Sequence, residues 1–164
     1  MEIRSLLDGM EQTLDESFSE FMADKGPRIQ QALMASLGPD AGQEAAAEAF
    51  SYGWEHWERL VAMENPAGYL YRVGRTRGRR LMRRLRPGRP SRPMDLTPWV
   101  EPALAGALED LTEMQRVATL LVHAGSWSFA EVGELLGVDR GTVKKHAERG
   151  LAKLRLALGV STSV

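Results

Sequence analysis

Residues 137–150 read GVDRGTVKKHAERG, and their side chains suit one kind of chemistry, the grip of a polyanion. Arg140 to Lys144 and Lys145 to Arg149 are four-residue steps, which on a helix set cations on neighbouring turns. Arg and Lys reach guanine edges or phosphates, and a helix N-terminus itself favours a phosphate. Thr142 can meet a thymine methyl or donate to the backbone, and His146 is a further phosphate contact. A second basic group lies upstream, where Arg72, Arg75, Arg77, Arg79, Arg80 and Arg83 are interleaved with Tyr69 and Tyr71. Cations that hold phosphates beside rings on which bases stack are what single-strand capture needs. A structural reading of the two tyrosines, as core residues, stands equally at this point.

Little else in the chain points to chemistry. There is no cysteine, which excludes disulfides, thiolate metal sites and cysteine nucleophiles. His56, His123 and His146 are scattered without carboxylates at metal-ligand spacing, so no metal or cofactor is expected. Neither a phosphate-binding P-loop nor a dinucleotide fingerprint occurs, and no serine sits in a hydrolase motif. The expectation is a binding protein, not an enzyme.

Charge is unevenly spread over the 164 residues, although the total is only −1. Residues 1–64 carry 4 basic and 13 acidic side chains, whereas residues 65–100 carry 10 arginines against Asp95 alone. A −9 front and a +9 middle suggest a polyanion partner for the middle, and a front that could fold over and mask it. The acidic start and the lack of any apolar run of roughly 18 residues predict a cytoplasmic protein without a membrane span.

The elements that must carry these residues are helical. Leu14, Phe18, Phe21 and Met22 mark one helix, and Ile29, Leu33, Met34 and Leu37 a second, with a break expected at Gly26-Pro27. A stop is expected at Gly38-Pro39, then a third helix from about Gln43 to Leu60 through Phe50, Trp54 and Trp57. Asn65 caps a fourth with Pro66 at its first position, and that helix carries the basic group. Residues 86–102 hold five prolines, and positions 87–102 read as a linker between two helical domains, 1–86 and 103–164. In the second domain Leu104–Leu108 is a short helix, and Thr112 with Gln115 and Ser128 with Glu131 form capping boxes. No strand-like alternation of useful length appears, so the fold class is all-α.

SFAEVGELLGVDRGTVKKHAERGLAKL has the layout of a helix-turn-helix. Ala130 is the small residue expected where the two helices cross, Gly137 permits the turn, Val138 packs under it and Val143 faces the core. The surrounding residues resemble the C-terminal domain of sigma-70 family factors of the small extracytoplasmic-function (ECF) type. Leu111, Glu113, Gln115, Arg116, Ser128, Phe129, Ala130, Glu131, Val132, Gly141, Thr142, Val143 and Lys144 fill that pattern. The resemblance implies that Arg140, Thr142, Lys144, Lys145, His146 and Arg149 read a −35 promoter element. NPAGYLYRVGRTRGRRLMRRLR is similar to the family's −10 helix at Asn65, Pro66, Ala67, Leu70, Tyr71, Arg72, Val73 and Arg75. That likeness assigns Tyr69, Arg72, Arg75, Arg77, Arg79, Arg80 and Arg83 to the melted −10 region.

EAAAEAFSYGWEHWERL stands where such factors bind the polymerase, which implies Glu44, Glu48, Phe50 and Trp54 as the docking residues. Ala45, Ala46 and Ala47 depart from the family's larger side chains there, a change that removes grip from the docking face. The implied partners are core RNA polymerase, promoter DNA and an anti-sigma factor. Two rival readings are a LuxR-like stand-alone regulator and a sigma mimic that only binds an anti-sigma protein.

Overall fold

A computed structural model describes residues 2–85 and 102–160. The linker predicted over 87–102 therefore falls almost wholly outside the described residues. Helix α1 (Glu2–Leu37) is followed by α2 (Pro39–Glu55), α3 (Trp57–Leu60) and α4 (Pro66–Leu85). Then come α5 (Pro102–Glu109), α6 (Glu113–Thr119), a π-helical turn (Leu120–Ala124), α7 (Phe129–Leu136) and α8 (Arg140–Ala157). Among the described residues there is no strand, in keeping with the all-α expectation.

The break expected at Gly26-Pro27 is absent, and α1 runs unbroken for 36 residues with Pro27 inside it. Proline forfeits one backbone hydrogen bond and crowds the preceding turn. Here its ring lies on the exposed side, while Phe21 before it and Ile29 and Leu33 after it pack into one core. Burial on both sides of Pro27 fixes the axis that the local sequence would bend. The stop at Gly38-Pro39 does occur. Gly38 takes φ 90°, where a side chain would be strained, and Pro39 opens α2.

The expected helix over Gln43–Leu60 divides at His56, whose φ of −121° breaks the run into α2 and α3. The His56 ring nitrogen Nδ1 lies 2.9 Å from the Tyr52 carbonyl oxygen, which occupies an acceptor at the end of α2.

Small residues let α1, α2 and α4 approach closely. A side chain at Gly42 would collide with the Met34 backbone, and one at Gly78 would meet Ala45 at 3.0 Å. Ala45 and Ala46 are almost fully buried, and only Ala47 is exposed. Two of the three alanines read as lost docking side chains are thus core residues, and Ala45 is small because α4 needs the space.

In the second half, Leu108, Leu111 and Leu154 join α5 to α8, and Gly150 brings α8 against Thr119 of α6. Both capping boxes form as expected. The halves are packed together: one continuous core runs from Ile29, Leu33 and Leu70 to Val117, Val132 and Val143. Trp127 Nε1 donates to Gln31 Oε1 at 3.0 Å, and Asn65 Nδ2 donates to the Glu134 carbonyl at 2.7 Å.

Candidate nucleic-acid interface

The start of helix α8 is positioned by residues close to it in sequence. Gly137 turns the chain at φ 71°, and Asp139 caps the helix by accepting the Thr142 N–H at 2.9 Å. Hydrogen bonds from the Thr142 hydroxyl and then its backbone hold the Asp139 carboxyl below the usual carboxylate range. The small residue at the α7–α8 crossing is Gly133, not Ala130. A side chain there would lie 2.6 Å from the Val138 carbonyl, whereas Ala130 is exposed. The reason is register: position 133 faces the turn and position 130 faces out.

Val143, Ala147, Gly150 and Leu154 form the buried stripe of α8. Arg140, Lys144, Lys145 and Arg149 stand exposed on the other side, so the four expected cations share one open face. Lys144 is 3.9 Å from Glu148 on the next turn, a loose surface pair that leaves it available. Two expected readers are placed differently. The Thr142 hydroxyl donates to Asp139 Oδ2 at 2.5 Å, which commits it to the cap. His146 is half-buried, and its Nδ1 is enclosed without a partner, so that nitrogen is turned from solvent.

Helix α4 divides its residues in another way. Leu70 and Tyr71 are buried, so Tyr71 is a core residue, and its burial pushes the phenol pKa up. Tyr69 is half-buried, its hydroxyl 3.3 Å from that of Tyr52. Arg72, Arg80 and Arg83 are exposed. Arg77, also exposed, lies over the Tyr52 ring at 5.0 Å and 4.0 Å from Glu48.

Arg75 and Arg79 turn towards the second half. Arg75 Nε donates to Glu113 Oε1 at 2.5 Å, and Arg79 donates to the other oxygen of the same carboxylate. Ser36 Oγ adds a bond to Glu113 Oε1 at 2.6 Å. Beside this cluster Arg116 donates to the Ala35 and Ser36 carbonyls at 3.1 and 2.8 Å, capping the end of α1. The mask over the basic middle is therefore partly a carboxylate of the second half, and not the acidic front alone. Nothing local in the sequence marks Glu113 for this role, because its partners lie 38 and 34 positions away.

The expected docking residues are partly together. Glu44 and Glu48 are exposed on α2, and Trp54 is 51% exposed, edge-on to Phe18 at 5.3 Å. Phe50 packs against the core and offers only part of its ring. No group of three or more metal-ligating side chains occurs among the described residues. None of the described helices is long and apolar enough to cross a membrane.

Residues 102–154 match the family described as sigma-70, region 4. That segment, about a third of the chain, is similar to sigma-70 region 4. Two known proteins are similar to this chain. The RNA polymerase sigma factor CarQ of Myxococcus xanthus is 39% identical over 67 residues, 41% of this chain and 38% of CarQ. The chain thus aligns with well under half the length of that curated relative. A co-crystal structure of the sigma factor RpoE in complex with the anti-sigma factor NepR, from Bartonella quintana, matches with TM-score 0.62. That match covers 90% of this chain and 99% of the other at 18% identity, so it speaks for a shared fold.

Proposed function

We propose that this chain is a sigma factor that binds core RNA polymerase and directs it to a class of promoters. The observation that carries the reading is the open face of Arg140, Lys144, Lys145 and Arg149 on a region 4 helix-turn-helix, joined to a second basic helix on the same chain. In this reading α8 reads the −35 duplex, and the exposed Arg72, Arg77, Arg80 and Arg83 with Tyr69 hold the melted −10 strand. Glu44, Glu48 and Trp54 dock on the polymerase. The chain performs no covalent chemistry: it positions the enzyme, and phosphate contacts supply much of the affinity. Residues 1–86 and 103–164 act as two domains whose separation lets both ends engage, and the protein works in the cytoplasm. An anti-sigma protein is the natural third partner, supported by the RpoE–NepR relative.

The stand-alone regulator is the weaker reading, because likeness to a sigma-factor structure extends over 90% of the chain and not only its C-terminal domain. Copurification with core polymerase and reconstituted transcription test the proposal. Capture of core enzyme and transcripts that need this chain are the expected results. A chain that never captures core polymerase and starts no transcript would sink it.

A further inference from the structure

Arg75 and Arg79 are one helical turn apart on α4, and two guanidiniums so placed repel unless an anion lies between them. Glu113 supplies that anion, one carboxylate oxygen to each guanidinium, with Ser36 Oγ as a third donor. This is the arrangement two arginines make with two oxygens of a phosphate. The three charged side chains keep 38%, 42% and 22% of their exposure, so the cluster lies at the seam of the halves where solvent reaches it. The Arg79 pKa is lowered, first by burial and then by Arg75, as fits two cations crowded on one anion.

We propose that Glu113 is an internal competitor for nucleic-acid phosphate, holding the Arg75–Arg79 clamp while the halves are closed and releasing it when they part. The inference rests on the promoter-binding reading above and adds to it where and by what group that binding is held back. The recognition face of α8 is exposed in the closed chain, whereas this clamp is occupied. Duplex can thus be met before opening, and the clamp takes a strand phosphate only after it. Among the described residues, the other bonds that charged side chains make across the seam, Arg116 on the α1 carbonyls and Arg28 on Glu131 at 2.8 Å, place no charge on α4. Glu113 is, among the described residues, the one acidic group that couples closure to the α4 clamp.

The test is the affinity of the full chain, without polymerase, for a fluorescent oligothymidylate, measured against salt. Glu113→Gln keeps the side-chain length and removes the charge. It is expected to bind about tenfold tighter at low salt, with a log–log salt slope steeper by roughly 1.4 for two freed phosphate contacts. Asp110→Asn, an equal charge change at an exposed residue that bonds neither Arg75 nor Arg79, is expected to leave both quantities unchanged. In an Arg75→Ala/Arg79→Ala background, Glu113→Gln is expected to have no further effect. The proposal is overturned if Glu113→Gln matches the parent chain, if its gain survives loss of both arginines, or if no variant binds the strand at all. Each of these outcomes is independent of polymerase capture, so failure here is distinct from failure of the sigma reading.

Discussion

Helices α8 and α4 are both amphipathic and both basic, yet they stand in opposite situations. The residues that start α8 are local: a turn at Gly137, a cap at Asp139, a crossing at Gly133. Its cations project into open solvent. Helix α4 carries more arginines, but its Arg75 and Arg79 are held by a carboxylate from a distant part of the chain. A basic stripe in sequence therefore states a capacity for phosphate, and only the tertiary packing states whether that capacity is free.

The contrast is broken most directly by removing the open face. Lys144→Ala/Lys145→Ala/Arg149→Ala is expected to weaken duplex binding by about a hundredfold at moderate salt and flatten the log–log salt slope by roughly 2.7, three phosphate contacts' worth. Filter binding or fluorescence anisotropy reads both. An unchanged slope would mean that α8 is not the duplex reader. The α4 triple variant Arg72→Ala/Arg80→Ala/Arg83→Ala is expected to spare duplex binding and to weaken capture of single strands.

A second variant tests whether the position of α8 is fixed by close packing. Gly150→Ala puts a methyl group against Thr119 Oγ1 and 3.0 Å from the Gln115 carbonyl. Overpacking of this kind costs about 1–3 kcal/mol, read as a lower midpoint in urea unfolding. Full stability in this variant would show that the α6–α8 crossing is looser than described. Smaller again is Thr112→Ala, which removes the N-cap of α6 and the reciprocal bond from Gln115. Loss of such a cap costs about 1 kcal/mol, and Thr112→Ser should recover most of it.

The smallest effect is a pH dependence at the seam. Bonds from the Ser128 backbone, then from Arg28 and the Ser128 hydroxyl, lower the Glu131 pKa to about 2 from 4.5. A carboxyl depressed in the folded state stabilises it fully above the unfolded value, and the contribution fades as pH falls from 4.5 towards 2. Glu131→Gln is expected to flatten the stability profile in that window and leave it unchanged near neutrality, where only the offset remains. Equal acid slopes in the two proteins would contradict the assignment.

The same contrast explains what was legible in the sequence. Capping boxes, the Gly137 turn, the Val143 core position and the cationic face of α8 follow from spacings of a few residues, and all were readable. The continuous α1 was not, because the packing of Phe21 and Ile29 into one core outweighs the local preference of Gly26-Pro27. Nor was the core role of Ala45 and Ala46, which depends on how the helices pack, for Ala45 on how near α4 approaches. Thr142 was readable as a polar residue facing out, but its hydroxyl serves the cap instead of a base. The Glu113 clamp is the extreme case, since it joins residues more than thirty positions apart and carries no local mark.

The central claim is that one chain carries two readers, and footprinting of the reconstituted holoenzyme at a start site that it selects tests this most directly. The account predicts two protected patches, of which the upstream one alone disappears with Lys144→Ala/Lys145→Ala/Arg149→Ala. A single patch, or loss of both together with that variant, would contradict it.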